Sequence, residues 1–152
     1  MKILVLFLFF INLLNADYEI VKNENLFLVK VTNSSFEKDL VNLKDEMNFE
    51  GFTIVYELNL AKSTNEVATI LGKKKILKNG INLGICKGSF TLKMVEENFN
   101  NINYCPLAIS IYSLNDKETY ISYKYYKNFK VDDKIANKIN EKLKDLLLNS
   151  LE

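Results

Sequence analysis

The chain of 152 residues has no histidine, no tryptophan and no arginine, with one proline and two cysteines. Without histidine the usual general base of a nucleophilic triad and the commonest ligand of catalytic zinc are both missing, so the familiar enzyme constellations lose their central member. Without arginine there is no planar fork to clamp phosphate or carboxylate at two points. No stretch rich in Pro, Gly or Ser divides the chain and no repeat is visible. The composition, 48% hydrophobic and 26% charged, excludes a disordered or collagen-like chain and describes one ordered domain. With 20 lysines against 19 acidic residues, it lacks the excess positive charge of a nucleic-acid binder.

What is present begins with a leader. Met1-Lys2 is followed by the apolar run Ile3 to Ile11, then Asn12-Leu13-Leu14-Asn15-Ala16, the layout of a signal peptide with cleavage near Ala16. A membrane span needs about 20 apolar residues. Here Asn12 and Asn15 interrupt the run and Asp17 and Glu19 close it. No cysteine follows it, which excludes a lipoprotein. The expectation is a periplasmic or secreted protein with residues 1–16 removed, 17–152 forming a single domain, and no stable membrane anchor after cleavage. Loss of Lys2 leaves 19 basic and 19 acidic residues and no global field to steer the chain toward DNA or anionic lipid.

Along the remaining chain, Leu26 to Val31 reads as a buried strand. Ser34 with Glu37 forms a capping-box signature, and Phe36, Leu40, Leu43 and Met47 recur at helical spacing until Gly51. The spacing predicts a helix over 35–50. Residues 52–60 alternate, with Phe52, Ile54, Tyr56, Leu58 and Leu60 on one face. Residues 61–71 are weakly helical and run into Lys73-Lys74-Lys75, which read as a solvated connector because no glycine-rich phosphate cradle accompanies them. Residues 80–86 form a strand in which Gly80 and Gly84 admit close approach. Ser89 caps a helix carrying Phe90, Met94, Val95 and Phe99. Leu107, Ile109 and Ile111 open a hairpin that returns over 119–125. The tyrosines at 120, 123, 125 and 126 are either a ligand-stacking ladder or, more plainly, cross-strand aromatic pairs. Asp132 or Asp133 caps a final helix of about 132–149 with Ile135, Ile139, Leu143, Leu146 and Leu147 down one side. That stripe faces either a core or a partner, leaving a homodimer open.

The order predicts an α+β two-layer sandwich, a single mixed or mostly antiparallel sheet of about five strands with helices on one face.

Gly84-Ile85-Cys86-Lys87-Gly88, the helix from Ser89 to Phe99, and Tyr104-Cys105-Pro106-Leu107-Ala108-Ile109 with the hairpin ending Thr119-Tyr120-Ile121-Ser122-Tyr123 resemble the bacterial "domain of unknown function 302" family. Ser35-Phe36-Glu37 and Gly51-Phe52-Thr53-Ile54 are similar to its front half. The resemblance covers about residues 26–126 and implies a small sandwich with a topology like that of the TATA-binding protein, and no established activity. Where many members carry an Asn-Pro turn, this chain has Lys87-Gly88, so no site is carried over there.

The sharpest chemistry lies in Cys86 and Cys105. In an exported chain an even cysteine count favours a structural disulfide, and closing such a loop stabilises a domain by roughly 3 kcal/mol. A thiol pair for redox exchange or a soft metal is the functional rival, and two inert buried thiols are the third reading. The bridge requires residues 100–104 to bring the chain back, because an 11-residue helix carries it about 16 Å from Cys86. Carboxylate neighbours such as Glu96-Glu97 and Asp132-Asp133 point apart or cap and receive no catalytic role. Two function classes remain: a binding or accessory module taking a small ligand or partner protein, without cofactor, metal or nucleic acid and without an evident catalytic residue, or a thiol-dependent redox or metal-handling protein.

Overall fold

A computed structural model describes residues 17–127 and 134–152. The leader and the helix cap expected at Asp132 or Asp133 lie outside the described residues. In chain order the elements are β1 (Asp17–Val21), β2 (Leu26–Thr32), α1 (Phe36–Phe49), β3 (Thr53–Asn59), α2 (Leu60–Ile70), β4 (Asn79–Cys86), α3 (Gly88–Glu97), a short 3-10 segment (Phe99–Tyr104), β5 (Leu107–Ser113), β6 (Glu118–Lys124) and α4 (Lys134–Asn149). The strands form one sheet in the order β1-β2-β6-β5-β4-β3. Every neighbouring pair is antiparallel.

The α+β sandwich with a single sheet is as expected. The sheet is antiparallel throughout, and it has six strands where about five were predicted. The added strand, β1, sits at the edge with four of its five residues exposed, so it carries no alternation of the kind that marks a half-buried strand. Its charged residues suit an edge exposed to water.

Local sequence explains most element ends, with shifts of one or two residues. At α1 the cap is Ser35, not Ser34: its extended backbone precedes the helix and its side chain accepts from Lys38 N at 3.2 Å. Ser34 Oγ instead donates to the buried Asp39 carboxylate at 2.5 Å. Gly51, with φ 72°, closes the helix in the left-handed region that favours glycine. The cap assigned to Ser89 is also corrected, because α3 starts at Gly88 after an extended Lys87 that makes no side-chain cap bond. That helix stops at Glu97, which leaves Phe99 outside it and exposed.

The unbroken alternation expected over 52–60 is cut by a β-bulge. Ile54 stands opposite Ile85 and Tyr56 opposite Gly84, leaving Val55 without a partner across the strand. One extra residue reverses the side-chain parity. Phe52 and Ile54 therefore pack on the core, while the Tyr56 ring lies over Gly84 on the opposite face.

The core fills the space between one face of the sheet and α1, α3 and α4. Leu43 and Met47 of α1, Met94 of α3, and Ile139, Leu143 and Leu147 of α4 meet Val29, Ile85, Ile109 and Ile121 from the strands. The α4 stripe is buried inside the chain, so this surface is core rather than an open contact for a second copy. The fourth helix, α2, buries only Ala61 and packs on β4.

Candidate functional site

Alternation along the strands presents a second face, free of α1, α3 and α4. On it the side chains over the middle of the sheet are small: Gly80 and Asn82 of β4, Ala108 and Ser110 of β5, and Ser122 of β6. They floor a groove of about 820 Å³, within the range of small-molecule sites. At one end stand Leu60, Leu77 and Tyr112, with Leu60 and Leu77 brought over the sheet by α2 and the segment after it. Gly80 makes this possible, since a Cβ there would meet the Leu77 side chain and Ala61. At the other end stand Tyr104, Tyr125, Tyr126, Lys124 and Lys127.

The floor is ordered by a hydrogen-bonded chain across three strands. Tyr56 Oη donates to Asn82 Oδ1 at 3.1 Å, and Asn82 Nδ2 donates to Ser110 Oγ at 2.9 Å. Ser122, directly opposite Ser110 in the register, is 6% exposed, and its hydroxyl has no hydrogen-bond partner among the described residues. It lines the groove.

The tyrosines divide between the two faces. Tyr120 stacks on Tyr112 with centroids 5.2 Å apart, a cross-strand pair of the plain kind. Tyr123 turns into the core, stacks on Phe27 and donates to Asn140 O at 2.7 Å. Tyr125 meets Tyr123 edge-on, and the Tyr126 hydroxyl accepts from Ala108 N at 3.0 Å. Burial raises the phenol pKa of Tyr112, Tyr123 and Tyr126 above the usual range; for Tyr126 the bond from Ala108 works against that shift. Burial is also the main cause at Tyr120, followed by its hydrogen bond to Glu118.

At the lysine end, Lys127 Nζ donates to Glu24 O at 3.3 Å and lies 5.8 Å from the Tyr125 ring centroid. Among the described residues no Asp or Glu lines the groove.

The cysteines lie elsewhere. Cys86 ends β4 and Cys105 follows the 3-10 segment, which turns the chain back after α3 as the bridge required. Their sulfurs are 2.50 Å apart and their Cα atoms 6.4 Å apart, inside the span a disulfide can bridge. The Thr91 hydroxyl lies 3.5 Å from Cys105 Sγ. The neighbouring cation is engaged away from them: Lys87 Nζ donates to Glu50 O at 2.5 Å and sits over the Phe52 and Phe90 rings. Among the described residues no group of three or more His, Cys, Asp or Glu is placed to hold a metal. The lysines at 73–75 are exposed in the connection from α2 to β4.

Sequence reasoning singled out the cysteines and weighed Tyr125 and Tyr126 as ligand-stacking residues, but assigned no floor residue of the groove to a site. The signal available was the small and uncharged character of the outward positions 80, 82, 108, 110 and 122, where a solvated sheet face ordinarily carries charge.

The architecture is that of a small antiparallel α+β sandwich with one helix-covered face and one grooved face. Residues 27–149 match the family described as "Domain of unknown function DUF302", and the chain belongs to that family. The match includes α4, which the motif resemblance had left outside. A crystal structure of an uncharacterized conserved DUF302 protein from Bacillus stearothermophilus is similar to this chain with a TM-score of 0.69 and 15% identity, covering 84% of this chain and 99% of that one. At that identity the likeness establishes the fold alone. No curated protein matches the chain.

Proposed function

We propose that this chain is an exported binding or accessory domain that takes a small ligand in the groove on the open sheet face. The observation that carries the reading is the groove itself, a concave, largely apolar site with few polar groups on its floor. Export to the periplasm rests on the layout of residues 1–16, with the mature chain starting at Asp17. No helix among the described residues is long and apolar enough to cross a membrane. The topology like that of the TATA-binding protein belongs to the same proposal and is supported by a single antiparallel sheet with α1, α3 and α4 on one face.

The test is binding of a neutral, polarity-sensitive naphthylamine dye. The wild type is expected to bind it, and Ser110→Phe, which fills the middle of the groove, to lose it while keeping the wild-type circular dichroism. Equal binding by both proteins, or none by the wild type, overturns the reading. Export is tested by cell fractionation and N-terminal sequencing, with a mature start at or near Asp17 expected.

A second reading, thiol-dependent redox or soft-metal handling through Cys86 and Cys105, is favoured by the proximity of the two sulfurs. Replacing both cysteines by serine separates the two: ligand binding survives under the first reading and activity disappears under the second.

A further inference from the structure

The groove has a direction, and its two ends differ in charge. From Ala108 to Tyr112 it runs four residues along β5, roughly 13 Å at the rise of a strand. The Leu60, Leu77 and Tyr112 end offers hydrocarbon and an aromatic ring. The opposite end carries Lys124 and Lys127, and neither makes an ion pair among the described residues. Lys127 is held in place by the Tyr125 ring and the Glu24 carbonyl, two contacts that orient an ammonium without neutralising it. Between the ends the Asn82 amide is already engaged with Tyr56 and Ser110, whereas the Ser122 hydroxyl, which lines the groove, makes no hydrogen bond among the described residues.

From this asymmetry we infer that the groove takes a small amphiphilic carboxylic acid, with its apolar body over β4 and β5 toward Leu60 and Leu77 and its carboxylate at Lys124 and Lys127. The inference rests on the binding reading above and adds the ligand's class and orientation. A carboxylate supplies the missing counter-charge and accepts charge-assisted hydrogen bonds from both ammonium groups. The apolar body covers Leu60 and Tyr112, which are otherwise open to water. A cationic amphiphile would meet two lysines and no acid among the described residues lining the groove, and a neutral one would leave both lysines without an acidic partner there.

The purified protein is titrated at low ionic strength with decanoate, 1-decanol and decyltrimethylammonium, each below its aggregation range, by displacement of the same neutral dye. Decanoate is expected to bind about tenfold more tightly than decanol, as two charge-assisted contacts imply, and decyltrimethylammonium more weakly than either. In the Lys124→Gln, Lys127→Gln double variant, which is expected to keep the wild-type circular dichroism, the ratio of decanoate to decanol affinity falls to about one. If decanol matches decanoate in the wild type, or the double variant keeps the preference for decanoate, the carboxylate inference is wrong and the groove reading stands. If dye and all three amphiphiles fail to bind the wild type, both are wrong.

Discussion

Asn140 on α4 holds the backbone of Tyr126 at both polar ends: Tyr126 N donates to Asn140 Oδ1 at 2.9 Å, and Asn140 Nδ2 donates to Tyr126 O at 2.8 Å. Through this one amide the helix on the core side fixes the segment that walls the groove on the other side. The Asn140 backbone carbonyl accepts from Tyr123 as well.

Replacing Asn140 by Ala therefore removes both of these bonds to the Tyr126 backbone. A loss of about 1–3 kcal/mol is expected in urea unfolding, together with weaker dye binding because the Tyr126 wall loosens. Unchanged stability would show that water replaces the amide at no cost.

Gly84→Ala is expected to be destabilising by about 1–3 kcal/mol, because the added methyl overlaps the Tyr56 ring. In the double variant with Tyr56→Ala the methyl has room, and the two changes should couple favourably in a double-mutant cycle. Simple additivity would mean that the ring moves aside without penalty.

Under oxidising conditions the unreduced protein should show no alkylatable thiol by mass spectrometry. The Cys86→Ser, Cys105→Ser variant should lose roughly 3 kcal/mol, the chain-entropy value for a loop of this size. Two reactive thiols in the native protein would remove the structural-bridge reading.

Alkaline titration tests the buried phenols. The Tyr123 and Tyr126 pKa values are raised, chiefly by burial. Their contribution to stability is thus complete below the unfolded value of about 10 and is lost as pH rises from there toward the folded values. Tyrosinate absorbance should show these two ionising late, near the alkaline unfolding transition, and Tyr123→Phe should remove part of the late absorbance. With no histidine in the chain, no side chain at its ordinary pKa changes charge between pH 6 and 8.

The legible parts of the fold were those written in local chemistry. The heptad-like spacing of Leu43 and Met47, the left-handed Gly51, the hairpin alternation of Leu107, Ile109 and Ile111, and the stripe down α4 all follow from periods of 3.6 and 2 and from backbone preference. The sequence also marked Cys86 and Cys105 as a pair and named the turn that had to bring them together.

Three things required the tertiary structure. The edge strand β1 draws its stability from its ladder with β2 and not from a buried face, so nothing periodic announces it. The bulge at Val55 is a matter of register between two strands, invisible in either strand alone. The groove is assembled from α2, β4, β5, β6 and the segment after β6, and its floor is defined by small residues that become meaningful only when they are placed side by side. Sequence alone determined the four helices and the five strands β2 to β6, because those choices depend on neighbours a few residues away. Which side chains share a face, and which end of the groove gathers the lysines, depend on contacts between distant segments, and only packing decided them.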